Sequence, residues 1–184
     1  MNTKTKTSCL TQCAIMIALA VVLSKIEIPL WAQGGSVTLA SMAPIVLLSY
    51  RLGVKWGFAG AFAFSLIQMM LGFSNVMYCP TLGTQVLCIL LDYVIAYSCL
   101  GLASLFGKAM KSKKGKIILG TALVCFIRFI CHYISGIVLW GSYAPEGTPV
   151  WIYSLTYNGG YMLPEAIITV VVVLALSKFI PDNN

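Results

Sequence analysis

Hydrophobic residues in this chain fall into six long runs separated by short polar stretches. The runs cover about 9–26, 37–50, 53–72, 82–106, 117–141 and 153–179. A helix needs roughly 20 apolar residues to cross the hydrocarbon core of a bilayer, and all but the short second run approach that length. The pattern predicts six transmembrane helices.

The composition agrees with a membrane protein. Hydrophobic residues make up 59% of the 184 residues and charged residues only 9%, and the mean hydropathy is +0.91. A soluble domain carries roughly 25% charged residues, so this chain could not cover a water-exposed surface of its size. We expect an all-α integral membrane protein in which residues 1–184 form a single domain.

The distribution of Lys and Arg predicts the orientation. With six spans, ten of the twelve basic residues fall on one side of the membrane, and only Lys25 and Arg128 do not. Cytoplasmic loops carry the excess of basic residues, so both termini are expected in the cytoplasm and the loops 27–36, 73–81 and 142–152 outside. The formal charge of +7 then reflects topology, and no nucleic-acid partner is expected.

The fifth run carries Arg128, His132, Gly136 and Trp140 at intervals of four residues. Residues spaced by four share one face of a helix. Ionisable side chains are costly inside a membrane, and they usually line a cavity or a ligand site. This face is therefore predicted to form the wall of an internal cavity.

A helix rises about 1.5 Å per residue, which places the other polar groups in two layers. Arg128 and Glu165 are predicted at equal depth and are expected to form a buried ion pair. Asp92, His132 and Asn158 lie nearer the outer surface. Asp92 is the clear anion of that layer, so it is a candidate counter-ion for a cationic ligand.

Aromatic residues near this shallower layer strengthen the prediction of a ligand site. Tyr93, Trp140 and Tyr153 are predicted close to Asp92. Aromatic faces combined with a carboxylate bind flat cations through stacking and cation–π attraction. An apolar pocket with a few polar groups is the usual form of a small-molecule site.

Other chemistry has weak support in the sequence. The seven cysteines contain no C-x-x-C pair and mostly lie in apolar runs, where Cys acts as a small hydrophobic residue. One His and scattered carboxylates give no metal site, no phosphate-binding loop is present, and no cofactor is expected. A membrane enzyme that uses Asp92 and His132, or paired thiols, remains an alternative.

Two small residues on the first helix, Ala14 and Ala18, form a small-xxx-small pair. Such pairs allow close helix–helix approach in membranes. They are predicted either to pack within the bundle or to contact a partner subunit.

Several segments resemble the ThiT family, the thiamine-binding S components of energy-coupling factor (ECF) transporters. The resemblance is carried by RFICHYISGIVLWGSYAPEG at 128–147, YSLTYNG at 153–159, GGSVTLASMAP at 34–44 and LDY at 91–93. It covers nearly the whole chain. It implies a membrane subunit that captures thiamine from outside and joins a transmembrane T component and two cytoplasmic ATPases.

The resemblance also implies roles for individual residues. The implied pocket residues are Asp92, Tyr93, His132, Gly136, Trp140, Tyr153 and Asn158. Asp92 would pair with the thiamine cation, and Trp140 would stack on the aminopyrimidine ring. Tyr153 and Asn158 would hydrogen-bond to the nitrogens of that ring. Ala14 and Ala18 would contact the T component.

One feature departs from the family pattern. Some members carry a tryptophan over the pocket at a position near Ser36, whereas this chain has Trp31 five residues earlier. Trp31 is retained as a candidate pocket residue. Another flat vitamin or precursor, such as a pyrimidine or a pyridoxine-like compound, is the alternative ligand.

Overall fold

The computed structural model describes residues 5–30 and 35–181. Over these residues the chain is almost entirely helical, with one small antiparallel hairpin between the first two helices. The elements are α1 (Lys6–Ser24), β1 (Glu27–Pro29), β2 (Ser36–Thr38), α2 (Met42–Leu52), α3 (Val54–Leu71), α4 (Phe73–Met77), α5 (Leu82–Gly107), α6 (Lys113–Val138) and α7 (Val150–Ala175). Short 3₁₀ turns follow α6 at Gly141–Tyr143 and α7 at Leu176–Phe179.

Local sequence explains where several of these helices begin. The side chains of Thr5 and Ser112 cap α1 and α6, each accepting a hydrogen bond from a backbone N–H of the first helical turn. Thr81 and Thr84 form a reciprocal capping box at the start of α5. Gly53 joins α2 to α3 with a φ of +84°, a conformation that glycine adopts without steric cost.

Five of the described helices are long and apolar enough to cross a membrane, as predicted. The second prediction, over 37–50, differs from the structure: its start forms strand β2, and helix α2 follows from Met42 to Leu52. Eleven residues span only about 16 Å, so the second apolar segment forms a shorter helix than the other five. Buried side chains fill this helix from Met42 to Tyr50, so its hydrophobicity reflects burial inside the protein.

Helix α2 lies at the centre of the core, and α1 and α3 pack beside it. Ile45, Val46 and Leu48 are at most 1% exposed, as are Phe64 of α3 and Leu100 of α5. Large apolar side chains on the outer helix faces remain exposed, which is expected of a surface in contact with lipid. The protein therefore has a packed interior and a lipid-facing apolar exterior.

Helices α3 and α5 cross at a pair of glycines. A Cβ atom on Gly57 would lie 2.8 Å from the carbonyl oxygen of Gly101. Small residues of this kind let two membrane helices approach backbone to backbone. This contact fixes α5, which carries the first residue of the functional site.

Candidate functional site

Asp92 lies in an irregular part of α5. Residues Ile89–Ile95 form a π-helical segment, and Cys99–Leu102 form a 3₁₀ segment further along the same helix. A π-helical turn holds more residues than an α-helical turn, is rare, and frequently occurs at functional sites. The widened turn lies in the middle of a membrane helix and carries its one carboxylate.

The Asp92 carboxylate accepts hydrogen bonds from several side chains. Its Oδ1 lies 3.2 Å from Nδ1 of His132. Its Oδ2 accepts from the Ser135 hydroxyl at 2.7 Å and from the Trp140 indole at 3.4 Å, and the Cys88 thiol lies 3.5 Å away. The donors come from α5, from α6 and from the turn that follows α6, and they hold a charge that would otherwise be unpaired inside the membrane.

The predicted face of α6 does line the site, with one difference at its outer end. Helix α6 ends at Val138, so Trp140 follows the helix and reaches Asp92 from the connecting turn. The indole ring lies 6.1 Å from the ring of Tyr143. Ser135 was not predicted, although it directly precedes Gly136 and faces the same carboxylate.

Helix α7 contributes Asn158, which is 5% exposed. Its amide nitrogen donates to the backbone oxygens of His132 at 3.3 Å and Ser154 at 3.0 Å, and its Oδ1 accepts from the Tyr161 hydroxyl at 3.0 Å. A Cβ atom on Gly136 would lie 2.9 Å from this amide nitrogen. Gly136 therefore makes room for α7 as well as lining the cavity.

Arg128 and Glu165 form no direct ion pair, which differs from the prediction. The Arg128 guanidinium lies over the Tyr97 ring at 4.4 Å and donates to the Tyr97 hydroxyl at 3.0 Å and toward the Met42 sulfur at 2.9 Å. Glu165 instead accepts from the backbone N–H of Thr38 at 3.2 Å and from the Thr38 hydroxyl. The two charges are apart because each bonds to a different polar side chain, Arg128 to Tyr97 and Glu165 to Thr38.

Tyr93 and Tyr153, both predicted as pocket residues, line the same cavity as Asp92. The Tyr93 hydroxyl donates to the carbonyl of Gly72 at 2.8 Å and accepts from Asn75 at 3.3 Å, so it also fixes the junction of α3 and α4. Tyr153 is half-buried, and its ring lies 5.7 Å from that of Tyr157. Trp31 lies outside the described residues.

All of the predicted pocket residues that the structure describes line one cavity of about 770 Å³. The same cavity is bordered by Arg128 and Glu165 and, on its remaining side, by hairpin residues including Glu27, Ser36 and Thr38. The loop 27–36 was expected to contribute Trp31 to the pocket, but a strand hairpin was not predicted. Alternating Ser36, Val37 and Thr38 was the available signal, but hydropathy assigned Ser36 to a loop and the other two residues to a helix.

The described part of the chain offers little for metal or thiol chemistry. Within residues 5–30 and 35–181, no group of three His, Cys, Asp or Glu side chains is close enough to hold a metal ion. The seven cysteines are buried as free thiols. The site consists instead of one hydrogen-bonded carboxylate, an imidazole, an amide and several aromatic rings around an open volume.

The fold and the cavity together define a multi-pass helical membrane protein with an internal cavity lined by polar and aromatic side chains. Comparison with known proteins is more specific. Residues 10–183 match the thiamine transporter protein family (Thia_YuaJ), and this chain belongs to that family. It is a family of transporters, so the alternative of a membrane enzyme is not supported.

Two relatives and one solved structure illustrate the similarity. Thiamine transporter ThiT of Bacillus subtilis is 40% identical over 183 residues, covering 94% of this chain and 91% of the relative. Thiamine transporter ThiT of Lacticaseibacillus paracasei is 33% identical over 153 residues, covering 77% and 73%. The fold matches the structure of ThiT from Listeria monocytogenes, with a TM-score of 0.75, 23% identity and coverage of 94% of this chain and 97% of that one.

Proposed function

We propose that this chain is the thiamine-binding S component of an ECF-type transporter in the cell membrane. The observation that carries the proposal is the buried Asp92 carboxylate on the wall of an aromatic cavity, in a chain of the thiamine transporter family. Thiamine is a flat aromatic cation, with a positively charged thiazolium ring linked to an aminopyrimidine. A carboxylate surrounded by aromatic rings suits such a ligand.

The cavity supplies distinct partners for the two rings. Asp92 provides the negative charge, and Trp140 and Tyr153 provide aromatic faces on the same cavity. His132 and Asn158 add polar groups next to these faces. We propose that Asp92 neutralises the thiazolium while Trp140 stacks on the aminopyrimidine.

The proposed orientation rests on the charge distribution. Ten of the twelve basic residues fall on the side of the membrane that contains both termini in a six-span topology, and that side is taken as cytoplasmic. The cavity, with Trp140, Tyr143 and the hairpin, then opens toward the outside. Thiamine would enter from there.

Ligand identification tests the proposal directly. Protein purified in detergent without added ligand is expected to release thiamine on denaturation, detected by mass spectrometry, and added thiamine is expected to quench its tryptophan fluorescence. A neutral pyrimidine and pyridoxine serve as competitors. If either competes as well as thiamine, the alternative of another flat vitamin replaces the present proposal.

Transport further requires partner subunits, and α1 has a suitable surface for one. Ala14 and Ala18 are exposed on the same face of α1, and Ala14 borders an apolar groove together with Gly60 and Ala63 of α3. Small residues leave space for a close-packed helix. We propose that this surface binds the transmembrane T component, which in turn joins two cytoplasmic ATPases.

The substitution Ala14→Leu is expected to abolish co-purification with the T component and leave thiamine binding unchanged, because the added side chain fills the groove away from the cavity. Affinity purification from cells expressing all subunits measures the first effect, and fluorescence titration the second. Ala175→Leu, at an exposed position at the end of α7, is the matched control. Normal assembly of Ala14→Leu would place the partner surface elsewhere.

A further inference from the structure

The hairpin of β1 and β2 is too small to hold its own position. Each strand has three residues, and all three residues of β1 are exposed. An isolated two-stranded hairpin is marginally stable at best, so its position depends on contacts with the rest of the protein. Because Glu27, Ser36 and Thr38 line the cavity, these contacts also determine how that side of the cavity is enclosed.

Glu165 of α7 makes the main polar contact with the hairpin. One carboxylate oxygen, Oε1, accepts both the backbone N–H of Thr38 and its hydroxyl. The Thr38 hydroxyl also accepts from the backbone N–H of Ser41 at 3.2 Å, which joins the contact to the start of α2. Hydrogen bonds to a charged acceptor are about twice as strong as neutral ones.

The packing of strand β2 supports the same attachment. Strand β2 lies against α7, and Tyr157, two helical turns before Glu165 on that helix, borders the same cavity as Gly35 and Ser36. Glu165 is 3% exposed, and a carboxylate kept at such a position inside a membrane helix is expected to have a role.

We infer that Glu165 is a positioning residue that holds β2 against α7 through Thr38 and so slows the release of bound ligand. The inference deepens the proposed function and rests on it where ligand release is concerned. Glu165 acts through the hairpin, without being required to touch the ligand. Weakening the contact lets β2 move away from α7 and opens one side of the cavity.

The test compares variants of Thr38, because these leave the charges of the bundle in place. Thr38→Val keeps the shape and the backbone N–H and removes the hydroxyl. It is expected to raise the thiamine dissociation rate about tenfold, with little change in the association rate measured by stopped-flow fluorescence. Thr38→Ser restores the hydroxyl and is expected to release thiamine at the wild-type rate.

A matched control and a double-mutant cycle separate this role from a general structural effect. Thr156→Val removes a hydroxyl on α7 that bonds only to its own helix, and it is expected to leave the rate unchanged. On a Glu165→Met background, Thr38→Val is expected to add less than a twofold increase. A dissociation rate of Thr38→Val within twofold of wild type, or a full tenfold increase on the Glu165→Met background, overturns the inference.

A measurement without ligand keeps the test independent of the proposed function. Amide hydrogen exchange of a peptide covering the hairpin is expected to be faster in Thr38→Val than in wild type, and unchanged in peptides from α6. If the wild-type protein fails to bind thiamine, the proposed function fails while this comparison still tests the contact. Unchanged hairpin exchange in Thr38→Val overturns the positioning role.

Discussion

Replacing Asp92 with Asn is expected to weaken thiamine binding about 100-fold. The carboxylate is the acceptor for His132, Ser135 and Trp140. An Asn side chain removes the negative charge that balances the ligand cation. Its NH₂ group also cannot accept a hydrogen bond, so it faces one of the donors that the carboxylate oxygen had bonded. Loss of one partner from a buried charge pair costs about 2–5 kcal/mol, and 100-fold corresponds to about 2.7 kcal/mol.

Isothermal titration or fluorescence quenching on the detergent-purified protein measures this effect. Glu146→Gln, which neutralises an exposed carboxylate in the loop before α7, is the matched control and is expected to bind normally. Asp92→Glu keeps the charge and is expected to lose less affinity than Asp92→Asn. Binding by Asp92→Asn within threefold of wild type would rule out a charge-based site at this residue.

Replacing Arg128 with Met is expected to lower the free energy of unfolding by about 3 kcal/mol. Arg128 is 7% exposed and makes its contacts with Tyr97 and Met42. Its charge also acts on Glu165 through space, since both side chains border the same cavity. Removing one buried charge leaves the other uncompensated, which costs about 3–5 kcal/mol.

The double variant Arg128→Met/Glu165→Gln distinguishes charge compensation from loss of packing. If compensation dominates, the double variant melts closer to wild type than Arg128→Met alone, in thermal unfolding followed by circular dichroism. Lys178→Met, at an exposed position in the 3₁₀ turn after α7, controls for the loss of a positive charge. A double variant that is no more stable than Arg128→Met would show that packing against Tyr97 is the main contribution.

Much of the fold could be predicted because the lipid environment imposes a simple rule on the sequence: a helix that crosses the membrane needs a long run of apolar residues. Long apolar runs locate α1, α3, α5, α6 and α7 to within a few residues. At 37–50 the rule located an apolar segment but not its exact structure, because Ser36–Thr38 form β2 and the helix, which other parts of the protein bury, begins only at Met42. Hydropathy alone does not distinguish burial in protein from exposure to lipid.

The site could be predicted in outline and not in its contacts. Depth along the helices was enough to bring Asp92, His132 and Asn158 to one cavity. It could not show that Ser135 donates to Asp92, because serine is common on membrane helices and its partner lies on another helix. It also paired Arg128 with Glu165 by depth, whereas lateral contacts with other side chains decide where each charge points.

The π-helical segment of α5 has a consequence for how the sequence of this helix can change. A π-helical turn contains one residue more than the α-helical turn it replaces, so the two flanking parts of the helix, Leu82–Cys88 and Ala96–Ser98, are rotated out of the common α-helical register. Deleting one residue within Ile89–Ile95 would restore that register and rotate one part by about 100° relative to the other. Asp92 would then lose its hydrogen bonds to donors on α6, even if every apolar contact made by the part of α5 after Ile95 were kept. The length of this segment therefore aims the Asp92 carboxylate at the cavity.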